Sequence, residues 1–464
     1  MDSFEQYDLI IIGAGSGNTI IGPAFDDWKI AIVEEWVFGG TCLNRGCIPT
    51  KMFVHTADLV QAIQHMAKFG VDAHVDGIRW NDIRDRVFNR IDPIADGGER
   101  YRMFDCPNVT VHAGQGRFVG THQLEVVTGT GTGTGTVRIQ GRQVVIAAGA
   151  RPMIPDVPGL AEAGYLTSDD IMRVEQVPEH LIVIGGGFIA CELAHVFGSF
   201  GAQVSIVQRS PRLLRAEDDD ISAALTARFA ERFDLHCSSS LAQVKRRNDT
   251  VEVTLTDGTV IEGTDILLAT GRIPNSDTLD VGSVGIAMHP DGRIVTDLTQ
   301  ATSVPGVWAL GDISSPYMLK HVANHEARVV AHNLLHPGDL HCTDYHGVPH
   351  AVFTNPQIAA VGLTERDARD QGIDVMVSTQ EYGGVAYGWA LEDTTSFCKL
   401  IADRNTRQLV GAHIIGHHAS SLIQQLVQGI HLRSTIDDMA TGQYYIHPAL
   451  GELVENALLG FPPA

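Results

Sequence analysis

Asp8-Leu9-Ile10-Ile11-Ile12-Gly13-Ala14-Gly15-Ser16-Gly17-Asn18 is the stretch that decides the fold. An unbroken apolar run that stops at glycine reads as a buried strand entering a tight turn. Gly13 permits that turn, and Gly15 lets backbone approach a pyrophosphate at a helix N-terminus. Asn18 stands where the third small residue of G-x-G-x-x-G would be, a departure expected to loosen helix–strand packing. Gly22-Pro23 and Asp26-Asp27 follow on helix ground, and Pro23 predicts a kinked or shortened helix. A second strand, Lys29 to Val33, ends in Glu34, about twenty residues after the turn, where a carboxylate accepts hydrogen bonds from ribose hydroxyls.

The pattern recurs. Leu181-Ile182-Val183-Ile184-Gly185-Gly186-Gly187-Phe188-Ile189-Ala190 is a more regular copy, with a helix predicted from Cys191 to Gly201. Its second strand, Val204 to Val207, ends in Gln208-Arg209, and Arg212 and Arg215 follow. Guanidinium groups bind a 2′-phosphate that a carboxylate would repel, so this second site is expected to prefer NADPH over NADH. The alternative is a solvated surface cluster. Two buried strands close alike: Val144 to Ala148 before Gly149-Ala150-Arg151-Pro152, and Ile266 to Thr270 before Gly271-Arg272-Ile273-Pro274. Two fingerprints and two such closers imply tandem copies of one nucleotide-binding plan.

Between the copies, Gly39-Gly40-Thr41-Cys42-Leu43-Asn44-Arg45-Gly46-Cys47-Ile48-Pro49-Thr50-Lys51 sets two cysteines five positions apart. A disulfide requires the segment to fold back on itself, and Asn44 and Gly46 are turn-permissive. Pro49 suits the first turn of a helix, which puts Cys47 at its N-terminus and favours a thiolate there. On spacing alone the pair is a redox dithiol, a structural disulfide or two unrelated thiols. Apolar periodicity predicts helices from Thr50 to about Phe69 and from Ile78 to Arg102, and short strands and hairpins from Gly114 to Ile139. Gly129 to Gly135, a Gly-Thr repeat, reads as a hairpin tip without function.

The chain has 464 residues, which suggests about three domains, and a formal charge of −22, which disfavours nucleic acid and anionic membranes as partners. The N-terminus lacks the basic leader of a signal peptide, no apolar run spans a bilayer, and seven cysteines make no secreted framework, so a cytoplasmic enzyme is expected. Gly311-Asp312 ends a short strand with an acid placed for a polyol hydroxyl. From about Tyr345 the pattern becomes a separate α+β unit, and near its end His447-Pro448 with Glu452 could make an oriented acid–base pair. His321 with His325 and His346 with His350 have i, i+4 spacing, but no further ligand joins either pair at metal spacing, and no metal is expected.

Together the Gly39–Lys51 motif, both fingerprints, both closers, Gly311-Asp312 and His447-Pro448 resemble the flavoprotein disulfide reductases, in order and over essentially the whole chain. That resemblance implies an α/β protein with two tandem Rossmann-like domains for FAD and NAD(P)H and a C-terminal α+β dimerisation domain. It implies residues 1–150 and 273–343 as the two parts of the FAD-binding domain, 151–272 as the NADPH-binding domain and 344–464 as the interface. FAD contacts fall on Gly13, Gly15, Ser16, Gly17, Glu34, Gly40, Thr41, Lys51, Ala148, Gly149, Arg272, Gly311 and Asp312. NADPH contacts fall on Gly185, Gly187, Phe188, Ile189, Arg209, Arg215 and Gly271, with Phe188 as an aromatic gate.

The resemblance further implies a redox-active Cys42–Cys47 disulfide, with Cys42 as interchange thiol and Cys47 beside the flavin. Lys51 and Glu192 match an ion pair near the flavin ring. His447, oriented by Glu452, acts as acid–base from the partner subunit of a homodimer. Within the family, Arg209 and Arg215 count against the dihydrolipoamide dehydrogenases. The absence of arginine from Gly17 to Trp28 counts against a glutathione-like anionic substrate. The stretches 15–18, 47–54, 187–197 and 319–326 are similar to the mycothione reductases, while the C-terminus lacks the cysteine pair of the mercuric reductases. The runner-up of another class is a flavin-binding redox sensor.

Overall fold

In the computed structural model, residues 3–129 and 135–463 are described; most of the Gly-Thr repeat lies outside them. The chain packs into two compact units, one of Met1–Met52, Asp82–Met153 and Gly271–Asp344, the other of Phe53–Asn81, Ile154–Thr270 and Tyr345–Ala464.

The first unit is built on a six-stranded sheet. Its parallel part runs Val109–Gly120, Ile30–Glu34, Glu5–Ile12, Gly135–Ile146, Val307–Ala309, and Gln123–Thr128 joins two of these antiparallel. Side chains alternate across a strand, so Leu9 and Ile11 enter one core while Ile10 and Ile12 enter the other. Both faces are covered, which is why the run is apolar without interruption. The helix Lys320–Leu335 covers the Leu9 face with Ala327, Val330 and Leu334. The expected short hairpin strands before Val144 merge with it into one long strand, Gly135–Ile146. Its first half pairs antiparallel with Gln123–Thr128 and its second half parallel with Glu5–Ile12.

In the second unit a parallel sheet runs Asp234–His236, Gln203–Val207, His180–Ile184, Asp265–Leu268, Leu166–Thr167. A three-stranded antiparallel sheet packs Val244, Val251, Val253 and Ile261 against it. Residues 349–416 form a five-stranded antiparallel sheet covered by the helices Ala419–His431, Ile436–Thr441 and Gly451–Leu459. A buried relay also lies in this unit. His195 Nε2 donates to Asp58 Oδ1 (2.9 Å) while Arg232 Nη1 donates to its Nδ1 (2.9 Å), and burial keeps the imidazole neutral.

The two parallel sheets share one turn, hydrogen bond for hydrogen bond. Gly13 N–H donates to Val33 O and Ala147 N–H to Ile12 O; Gly185 N–H donates to Val207 O and Ala269 N–H to Ile184 O. Gly13 has φ +101° and a Cβ there would stand 2.3 Å from Ala147 O; Gly185 has φ +128° and its Cβ would stand 2.2 Å from Ala269 O. Glycine is thus required twice, for conformation and for space. After Gly13 no α-helix forms: Gly17–Ile20 and Pro23–Phe25 are 3₁₀ turns, a stronger effect of Gly22-Pro23 than a kink. The loosening expected from Asn18 is offset. Gly17 packs tightly on Ile11 and Ala147, and Arg102 donates to Asn18 Oδ1 (2.8 Å) and to the carbonyls of Asn18 and Ile21.

Gly13→Ala and Gly185→Ala should each cost about 1–3 kcal/mol and lower the melting temperature of the protein. Gly22→Ala meets nothing within 4 Å and should melt like the parent. Scanning calorimetry of the three variants checks this, and equal melting of Gly13→Ala and Gly22→Ala would remove the steric account.

Candidate active site

The carboxyl end of the first sheet gathers most of the predicted FAD residues. Glu34 ends its strand with Oε2 accepting from Ala14 N–H (2.7 Å) and Oε1 from Trp36 N–H (2.8 Å). These bonds pin the carboxylate beside the glycine turn, and each oxygen keeps a second lone pair. Gly40 has φ +72° and its Cβ would lie 2.8 Å from Gly15 Cα, so the cysteine loop rests backbone to backbone on the glycine turn. Ala148 O and Gly149 O accept from the side chain and backbone of Asn275, at 2.8 and 3.0 Å. Arg272 donates to Ala150 O and stands 4.0 Å from Asp312. Burial pushes the Asp312 carboxyl up, with Arg272 opposing. Gly311 N–H donates to Glu326 Oε2 (2.6 Å).

Cys42 lies in a short helix, Gly40–Asn44, and Cys47 opens the helix Cys47–Gln64 with Pro49 in its first turn. The fold-back comes from more than turn residues. Gly39 and Gly40 both have positive φ, and Asn44 Nδ2 donates to Phe38 O (3.0 Å) and Gly40 O (3.1 Å). A Cβ at Gly46 would stand 2.9 Å from Thr41 O, so the loop closes tightly there.

Both thiols are free and hydrogen-bonded to one another. That bond is the main reason Cys47 is lowered to about 7, with the Lys51 ammonium helping and burial and Asp312 opposing. It is also the main reason Cys42 is raised, burial adding and Lys320 opposing. The inter-thiol bond thus pushes the two thiols in opposite directions, Cys47 down and Cys42 up.

Sequence reading did not assign Lys320. Its Nζ donates to Ser16 Oγ (2.8 Å) and to Asn324 Oδ1 (2.7 Å), and it is charge-coupled to both cysteines, with burial pulling its own pKa down. The available signal was a lone lysine at the first position of the helix that follows Gly311-Asp312.

The second glycine turn carries the predicted pyridine nucleotide residues. Gly187 precedes the helix Phe188–Ser199, and Phe188 and Arg209 are exposed. The Gln208 side chain lies against Gly186, where a Cβ would stand 2.6 Å from its Nε2, and its Oε1 accepts from Arg209 N–H (2.8 Å). All three arginines are exposed, and Arg212 donates to Asp219 O (3.1 Å). Gly271 has φ +132° and its carbonyl accepts from Met153 N–H (2.9 Å). Glu192 is buried and accepts from Phe353 N–H (2.9 Å).

His447 Nδ1 stands 2.6 Å from Glu452 Oε1, and the ring is 70% exposed. Donation from Nδ1 leaves the Nε2 lone pair outward. Tyr444 and Ile446 beside it are also exposed. Of the histidines read as structural, His350 pairs with Glu217 (2.7 Å) and His346 lies 3.3 Å from Ile430 O. The glycine cradle, the pinned Glu34, the buried Asp312 and the polarised thiols suit a flavin dinucleotide; the second turn with Arg209 and Arg215 suits a pyridine nucleotide. Among the described residues, no helix is long and apolar enough to cross a membrane.

Comparison with known proteins agrees. Residues 7–327 match the family model of pyridine nucleotide-disulphide oxidoreductases, and residues 348–458 match the dimerisation domain of the same family. The chain is 49% identical to mycothione reductase of Mycobacterium tuberculosis over 98% of its own length and 99% of that protein. It is 31% identical to a dihydrolipoyl dehydrogenase of Chlamydia muridarum, covering 98% and 97%. Against glutathione reductase of Burkholderia cepacia it is 32% identical, covering 96% and 97%. Among solved structures, the Cu(II) complex of the HOCl-induced flavoprotein disulfide reductase RclA from Escherichia coli superposes with a TM-score of 0.86 at 26% identity, covering 98% of this chain and 99% of that one. The chain belongs to the pyridine nucleotide-disulphide oxidoreductases and is an NAD(P)H-dependent, FAD-containing disulfide reductase.

Proposed function

We propose that the protein is an NADPH-dependent mycothione reductase that works as a homodimer and reduces mycothiol disulfide in the cytoplasm. One observation carries the chemistry: the loop turns back at Gly39, Gly40 and Gly46 and sets Cys42 against Cys47, side chain to side chain. The substrate rests on the 49% identity to the M. tuberculosis enzyme and on the segment 17–28, which has no arginine and exposes Asp26 and Asp27. The proposed domains are residues 1–150 with 273–343 for FAD, 151–272 for NADPH and 344–464 for the dimer interface.

Bound FAD supplies the two-electron path between NADPH and the sulfur pair. Gly13, Gly15, Gly17, Glu34 and Asp312 would hold and orient it, and Lys51 would bring a positive charge to the same end of the site. Cys42, losing its proton to the partner subunit's His447, attacks one sulfur of the substrate. The substrate S–S bond breaks, a mixed disulfide forms, and the first product leaves as a thiolate that takes a proton from that imidazole. Cys47 thiolate then attacks Cys42 sulfur, closing the Cys42–Cys47 disulfide and releasing the second product. Glu452 keeps the histidine in the tautomer that presents Nε2.

Steady-state assays of the holoenzyme with NADPH should favour mycothiol disulfide over glutathione disulfide and lipoamide. Cys42→Ser should abolish that turnover while the flavin remains bound and reducible by NADPH; retained turnover would overturn the assignment. Removing both Arg209 and Arg215 as alanines should raise KM for NADPH by roughly ten- to a hundredfold, about 1.5–3 kcal/mol of charged hydrogen bonding, and leave KM for NADH unchanged. The thiolate–flavin charge-transfer absorbance of the two-electron-reduced enzyme should be present above a midpoint near 7 and fade below it. In Cys42→Ala that midpoint should climb toward an ordinary thiol, about 8.5.

A further inference from the structure

At the carboxyl-terminal end of the helix Lys320–Leu335, away from the dithiol, His332, Asp339 and His341 each offer one ligand atom, and the three atoms lie within 4.8 Å of one another. The rings of His332 and His341 stack with centroids 3.4 Å apart, and His336 stacks on His332 at 4.3 Å. The backbone beneath them is fixed. Asn333, fully buried, donates to His341 O (3.0 Å) and to Thr299 O (2.9 Å), and its Oδ1 accepts from His341 N–H (2.7 Å). His332 Nε2 meets Asp339 O at 2.8 Å, which ties the loop to the helix a second time. The unpaired carbonyls of a helix C-terminus favour a cation at the same end.

We propose that His332, Asp339 and His341 bind a divalent transition-metal cation of the zinc class, with water completing the coordination. Two imidazole nitrogens and a carboxylate oxygen form a ligand set suited to zinc, whereas magnesium and calcium require mostly oxygen. Donors roughly 2.0–2.2 Å from a tetrahedral ion stand about 3.3–3.6 Å apart, so the side chains must close in, His332 offers Nδ1, and His341 must swing out of its stack because an imidazole ligates in its ring plane. Asp339 and His341 are exposed and can rotate to do so. A cavity of about 470 Å³ lined by His325, Arg328, Leu340, His341 and Cys342 gives solvent access; the Arg328 guanidinium opposes the cation and limits affinity. Lys320 is twelve residues up the helix, about 18 Å away, so the ion takes no part in disulfide chemistry. It cross-links the helix end to its loop.

The test is calorimetric titration of the oxidised holoenzyme, its Cys42–Cys47 disulfide closed so that the dithiol is no ligand, with zinc chloride and with magnesium chloride. Wild type should take up one zinc equivalent that magnesium does not mimic, and its melting temperature should rise with zinc. His332→Ala, His341→Ala and Asp339→Asn should each weaken that equivalent roughly tenfold or more, an effect of the size metal-site substitutions produce. His418→Ala should leave it intact, although His417 and His418 also stack, at 3.8 Å. Unchanged zinc binding in the His332→Ala/His341→Ala double variant would overturn the proposal. So would loss of the equivalent on Cys342→Ser or His418→Ala alone. Circular dichroism of each variant verifies that these surface substitutions leave the fold intact.

Discussion

No side-chain atom can stand at Gly13 or at Gly185, because a backbone carbonyl fills the place it would occupy. This prohibition organises both nucleotide sites. Each sheet brings three parallel strands together at their carboxyl ends, and the chain leaves the middle strand only by passing under the neighbouring carbonyl, Ala147 in one copy and Ala269 in the other. The turn above is then bare backbone, over which an anionic dinucleotide can come close. The same bareness lets Gly40 settle on Gly15. The cysteine loop is therefore placed by glycine packing, and the redox pair inherits its position from the dinucleotide turn.

From that placement the electrostatics follow. Two cations flank the pair: Lys51, on the helix that Cys47 opens, lowers Cys47, and Lys320, anchored on Ser16 of the glycine turn, lowers Cys42. Asp312 works against Cys47. The inter-thiol bond outweighs all three and separates the two sulfurs in opposite directions. A single proton between two thiols thus sets their acidities apart.

Strands buried on both faces and ended by glycine announced themselves, since Leu9–Ile12 and Leu181–Ile184 admit few other readings. Cys42, Cys47, Glu34 and Asp312 stand out in the sequence because the chemistry expected of them needs those residue types at those spacings. What escaped was long-range satisfaction. Nothing near Asn18 foretold that Arg102 would anchor it, and the lysine at position 320 is 304 positions from the hydroxyl it reaches. The junction of hairpin and core strand in Gly135–Ile146 was missed because one strand serves antiparallel and parallel partners in succession, and its pattern changes midway. The cluster at His332 was hidden for another reason: its donors lie on a helix end and the following loop, brought together by a buried asparagine that no ligand pattern includes.

Net charge is a poor guide to this site, and screening explains why. At physiological salt a charge is felt over about 8 Å, so most of the −22 carried by the chain is invisible at any one pocket. Just past the second fingerprint the local charge is positive: Arg209, Arg212 and Arg215 are all exposed there, Arg212 donating to Asp219 O. Near the 3₁₀ turns after the first fingerprint the local charge is negative, since Asp26 and Asp27 stand exposed with no arginine between Gly17 and Trp28. The charge gathered around each glycine turn, and not the sum over the chain, is therefore what an ion there would feel.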